Sequence, residues 1–158
     1  MSLILDGSAG VTYPNSTVQA SAGSVIQVVS ANLSTTQSTS SASFVTTGLS
    51  ASITPKFSTS KILVLVSGGS MQNGSTGQQC CTTIYKNGSN MVGVNGLALC
   101  YTASATLQVP ISMSIYDSPA TTSALTYEVY FGSVNTAGSV FLILTNSRMT
   151  ITVMEIAG

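Results

Sequence analysis

The chain has 158 residues, enough for one domain that buries roughly 70% of its unfolded surface. Only 5% of the residues are charged, and four basic groups balance four acidic ones. A surface this neutral has no field to draw in nucleic acid or anionic lipid, and a free monomer near zero net charge tends to associate.

Residues 1–23 read as an arm, ahead of a body at 24–158. The start, MSLILDGSAG, lacks the basic residues and long apolar run of a secretion signal. Two short extended pieces, Val11–Tyr13 and Thr17–Gln19, flank a Pro14-Asn15 turn. A hairpin this small does not stand alone in water, so Val11, Tyr13, Pro14 and Val18 are expected to lie on the body or on a neighbour. The stretch SVIQVVSAN, from Ser24, is a strand, and Ser34 to Ser43 is a polar loop or solvated edge. Phe44–Thr46 and Ala51–Ile53 read as short strands on either side of Gly48, closed by Pro55.

Ser60 to Gly68 (SKILVLVSG) is apolar on both faces, as a central strand requires. The residues from Gly68 to Gln79 then read as a loop. An Asn87-Gly88 pair, where both residues tolerate positive φ, predicts a hairpin between Cys80–Lys86 and Asn90–Val94. Leu97–Tyr101 follows as a short strand. Ile111, Met113 and Ile115 alternate with serines, while Leu125, Tyr127, Val129 and Phe131 alternate with Thr126, Glu128 and Tyr130. With Pro119 at the break, that pattern predicts a long hairpin with one buried face. Val140–Leu144 and Met149–Ile156 are expected to form the last pair. The expected core is Ile62, Leu63, Val64, Leu65, Ile111, Met113, Ile115, Tyr127, Val129, Phe131, Leu142, Leu144, Ile151 and Val153. No segment carries a helical signature. The expected fold is all-β, an antiparallel β-sandwich of jelly-roll type with a short extended N-terminal arm.

Chemistry-bearing constellations are scarce. Ser or Cys nucleophiles of the triad kind need an imidazole base, and the chain has no histidine. Three cysteines fall short of a zinc site, so neither metal nor cofactor is expected. Cys80 and Cys81 are strand neighbours that point to opposite faces, and one of them facing Cys100 across strands is open. A Glu128/Asp117 pair would be needed for glycosidase chemistry, but solvated surface carboxylates are the simpler expectation. Glu155 alternates with Met149, Ile151 and Val153, and is expected to form a rim salt bridge with Lys61 or Arg148. Tyr85, Tyr101, Tyr116, Tyr127 and Tyr130 are mainly packing residues, with a glycan contact open for some of them. The chain is not expected to be an enzyme.

Four ordered motifs carry a resemblance: GVTYPNSTVQ, SASITPKFSTSKILVLVSG, SIYDSPATTSALTYEVYF and MTITVMEIA. Together they resemble the C-terminal head domain of tail-fibre proteins of tailed bacteriophages, many from marine and freshwater bacteria and cyanobacteria. Asn15-Ser16 departs from the Asp-Gly usual in the arm turn of that family. The resemblance implies a homotrimeric β-structure on a phage particle. Because the module starts one arm away from Met1, a capsid decoration (cement) protein or head fibre, held by the arm to the major capsid protein, another virion protein or an adjacent trimer, is the first expectation. A tail-fibre or tail-tip adhesin that binds a host receptor or surface glycan is the second, and a host-encoded or lectin-like binding module is the third. The loops 68–79 and 90–97 match nothing in the family, which makes Gln72, Asn73, Gln78, Asn90 and Asn95 the candidate partner-binding residues. No nucleic-acid or membrane partner is expected.

Overall fold

The computed structural model describes residues 23–101, 103, 107–133, 138–143, 145 and 147–158, together with the strand backbone of 4–6, 10–12 and 18–19. The described residues contain no helix, and therefore none long and apolar enough to cross a membrane. In the arm, β1 (Ile4–Asp6), β2 (Gly10–Thr12) and β3 (Val18–Gln19) form a small antiparallel sheet of their own. The body is two antiparallel sheets that share one apolar core, an arrangement compatible with a β-sandwich.

The six-stranded sheet is organised by β7 (Lys61–Asn73), the longest strand. Its two ends use the same edge differently. Residues 61–67 pair with β14 (Met149–Ile156), and residues 70–73 pair with β13 (Val140–Ile143). The opposite edge takes β11 (Gln108–Asp117) along its whole length. β4 (Val25–Leu33) adds to β14, and β5 (Gln37–Thr39) adds to β13. The expected last pair is therefore corrected: β13 and β14 follow one another along β7 instead of pairing together.

Midway along β7 sits a bulge at Gly68-Gly69, with φ of 92° and 65°. Only glycine adopts such angles cheaply. A Cβ on Gly68 would also collide with the carbonyl of Arg148. The strand thus continues through what reads in sequence as a loop, and Met71 and Asn73 turn into the core.

The five-stranded sheet runs in the order β10 (Ala98–Tyr101), β8 (Gln79–Lys86), β12 (Leu125–Gly132), β6 (Val45–Ile53), with β9 (Ser89–Asn90) also on β8. The β8–β9 turn is the expected one, with φ of 48° at Asn87 and 80° at Gly88. After Asn90 the chain leaves the sheet, so its partner strand is shorter than the pattern suggests. β6 is continuous, its two expected pieces joined through Gly48.

The largest correction concerns β11 and β12. They are not a hairpin. β11 belongs to the six-stranded sheet and β12 to the five-stranded one, and residues 118–124 cross between them. Each alternating pattern does bury one face, but the two faces line the shared core from different sheets rather than lying side by side. Tyr127, Val129 and Phe131 are buried in the same core as Ile111 and Met113, and Ile115 packs at the margin. Ile62, Val64, Leu142, Ile151 and Val153 are also buried, whereas Leu63 and Leu65 face outward and are half-buried. Leu144 lies outside the described residues.

Candidate functional site

In the arm, Val11 sits opposite Leu5 on one side and Gln19 on the other, and Val18 sits opposite Thr12. Tyr13 and Pro14 lie outside the described residues. The body's hydrogen bonding begins at Gly23, whose amide donates to Ala157 while the Ala157 amide donates to Ser24. Next to this root, Ser24, Ile26, Phe57, Thr59, Ala157 and Gly158 line an open groove of about 310 Å³.

Three of the five candidate loop residues are not surface loop residues. Gln72 lies in β7, opposite Gln108 and Phe141. Asn73 is fully buried: its Oδ1 accepts from the Leu107 amide at 2.6 Å and its Nδ2 donates to the Ser75 carbonyl at 2.8 Å. It is a clamp between strand ends. Gln78 is buried too, and its side chain lies over Gly138 so closely that a Cβ there would collide with it. Asn90 Oδ1 accepts from the amides of Val92 and Gly93, and its Nδ2 donates back to the Gly93 carbonyl at 2.9 Å. It shapes its own loop. Asn95 is exposed in the turn that follows.

The carboxylates differ from expectation. Asp117 is buried at the end of β11, where Lys86 Nζ donates to it at 2.9 Å and the Tyr127 hydroxyl donates at 2.7 Å. Lys86 and Tyr127 belong to the five-stranded sheet, so this cluster clasps the two sheets together. Burial alone pushes the Asp117 carboxyl up. The bonds from Tyr127 and Lys86, with the lysine charge, outweigh that and hold it below the ordinary value. Burial and the facing carboxylate push the Tyr127 hydroxyl far up, so it stays a donor.

Glu155 is 0% exposed and makes no rim salt bridge. Its oxygens accept from Gln27 Nε2 at 2.6 Å and from the Lys56 amide at 2.7 Å. The buried Ser60 hydroxyl also leans toward it, short of full hydrogen-bond geometry. Burial raises this carboxyl as well, but the surrounding donors hold it below the usual range. The group ties β4 and the 54–60 connection to β14.

The cysteines are all free and buried. Cys80 and Cys100 do face each other across β8 and β10. Burial, followed by the other cysteines, pushes the Cys80 thiol to about 12, far from a reactive thiolate at neutral pH.

The tyrosines do not form one platform. Tyr127 is core. Tyr85 and Tyr130 stack on the outer face of the five-stranded sheet, with ring centroids 3.8 Å apart, and Phe44 meets Tyr85 edge-on at 6.4 Å. Two apolar patches are the features least visible in the sequence. On the outer face of the six-stranded sheet, Val28, Met154, Leu63 and Tyr116 are register partners in one row across four strands, with Val28 55% and Tyr116 62% exposed. Along the edge of the other sheet, Val92, Val94, Leu99 and Tyr101 are exposed, Val94 by 76%. The doubly apolar KILVLV run held a signal for the first patch, since a strand greasy on both faces need not be covered on both.

The chain matches no known protein-family model and no curated protein.

Proposed function

We propose that this chain is a structural protein on the surface of a tailed-phage virion: a homotrimeric capsid decoration or head-fibre protein of jelly-roll type, seated on the major capsid protein through its N-terminal arm. The observation that carries the proposal is the ordered set of four motifs, GVTYPNSTVQ through MTITVMEIA, which spans nearly the whole chain. Physical features agree with it. The two-sheet antiparallel body is of the right class, its surface is hydroxyl-rich and nearly uncharged, and its apolar patches lie open. A role without catalysis fits the two buried carboxylates, whose oxygens take internal donors that tie strands together.

The test is co-sedimentation with undecorated phage heads. The 158-residue protein is expected to pellet with heads, and a version lacking residues 1–22 is expected to remain folded in the supernatant. Equal pelleting of both versions would refute an anchoring arm. A tail-fibre adhesin is the second reading, favoured by the outward Phe44, Tyr85 and Tyr130 rings, since sugars stack on aromatic faces. Binding of the purified protein to host cells, with none to heads, would put that reading first.

A further inference from the structure

We infer that Cys80 and Cys100 form a cross-strand disulfide when the folded chain meets a low-molecular-weight disulfide such as oxidised glutathione. The pair stays as two thiols in a reducing cell and closes into a staple between β8 and β10 outside one. No virion role is needed for this.

Register supplies the geometry. Cys80 and Cys100 are direct partners in an antiparallel ladder that also matches Ala98 to Thr82, Leu99 to Cys81 and Tyr101 to Gln79 without a shift. Directly opposed residues have Cα atoms about 4.5–5.5 Å apart, inside the roughly 4.4–6.8 Å that a disulfide accepts. Partners in register point to one face, and here both thiols are buried in the shared core. Cys81 is excluded, because it points to the other face, opposite Leu99.

Access comes from the edge. β10 is four residues long, pairs on one side only, and turns Leu99 and Tyr101 outward, 46% and 48% exposed. A strand with so few buried side chains opens locally more cheaply than the whole fold does. While it stays paired, burial keeps both thiols protonated and inert. Weak sulfur hydrogen bonds hold them, from Cys100 to the Leu107 carbonyl at 3.2 Å and from Cys80 to the Phe141 carbonyl at 3.8 Å. Closure gives up weak bonds of this kind.

The chemistry is two exchanges. With β10 open, the Cys100 thiolate attacks one sulfur of oxidised glutathione, expels one glutathione thiolate and leaves a mixed disulfide. Before the strand has closed again, the Cys80 thiolate attacks the Cys100 sulfur and expels the second glutathione. The two protein thiols lose two electrons, the glutathione disulfide gains the same two, and the two protons end on the released thiols.

The test is incubation of the folded protein with oxidised glutathione, followed by thiol counting in denaturant and peptide mapping. The thiol count is expected to fall from three to one, with residues 80 and 100 linked, Cys81 free and no glutathione retained. The urea midpoint should rise, because the bond restricts the unfolded chain, and dithiothreitol should return it. Cys81→Ala is expected to close the same bond. Cys80→Ala is expected to trap glutathione on Cys100, whereas Cys100→Ala should take up none at Cys80. If a variant folds poorly, mapping of the unsubstituted protein decides the matter. Three free thiols after oxidation, a bond that includes Cys81, or a stable glutathione adduct on the unsubstituted chain each overturns the inference. An 80–100 bond that forms only in urea overturns it too, since such a bond owes nothing to the native pairing.

Discussion

Asp117 shows what a residue's place in the sequence does not reveal. In sequence it is an acid beside Ser118 and Pro119, in a turn-like setting. In the fold it is the acceptor for Lys86, 31 positions earlier, and for Tyr127 across the core. No local pattern carries that information, and the same holds for Glu155, whose donor Gln27 is 128 positions away. A depressed carboxyl fixes the sign of the pH effect. Its stabilising contribution is present above the ordinary Asp value of about 3.9 and is lost as pH falls through the lower folded value. Asp117→Asn is expected to cost about 1–3 kcal/mol at neutral pH, since it leaves Lys86 and Tyr127 with a weaker acceptor. Urea midpoints taken from neutral to acidic pH check this. Glu155 titrates in the same direction, so the diagnostic is the gap between wild type and Asp117→Asn, which should narrow as pH falls below the ordinary Asp value. A gap that stays constant with pH would mean that Asp117 contributes no charged interaction.

At the scale of elements, alternation located the strands and their inward faces but not their partners. Ile111, Met113, Tyr127, Val129 and Phe131 are buried as their period-2 spacing requires. Which sheet each strand joins depends on the residues between them, and seven polar or small residues serve a crossing as well as a turn. The Gly68-Gly69 bulge was hidden for a related reason. Paired glycines after a strand usually signal its end, whereas here they re-aim it, and Asn73 and Gln78 become buried. Two substitution pairs test this layer. Val129→Asp should abolish cooperative folding, because an unpaired buried charge costs several kcal/mol against a total of about 5–15 kcal/mol. Glu128→Ala, one residue along on the outer face, should move the urea midpoint little. Gly68→Ala should destabilise more than Gly48→Ala: both backbones have positive φ, but only at Gly68 does a Cβ meet backbone. Equal costs within either pair would show that the assigned register is wrong at that strand.

For the whole molecule, composition spoke to association more clearly than to chemistry. Four positive and four negative charges in 158 residues leave little for ionic strength to screen. The surfaces left over after folding are apolar rows and hydroxyls, and the row across β4, β14, β7 and β11 became visible only once the register was known. An assembly held by such surfaces depends on apolar burial, which salt weakens little and structure-making salts strengthen. The homotrimer proposed above predicts a light-scattering mass near three times 16.1 kDa at micromolar concentration. That mass should hold between about 0.05 M and about 1 M sodium chloride, although the Debye length shrinks over that range to roughly 3 Å. Sodium sulfate should lower the concentration at which the trimer dissociates. A trimer that falls apart as salt rises would mean that charged contacts carry the assembly, and the charged side chains outside the buried Asp117 and Glu155 clusters, not the apolar rows, would then be the place to look for the interface.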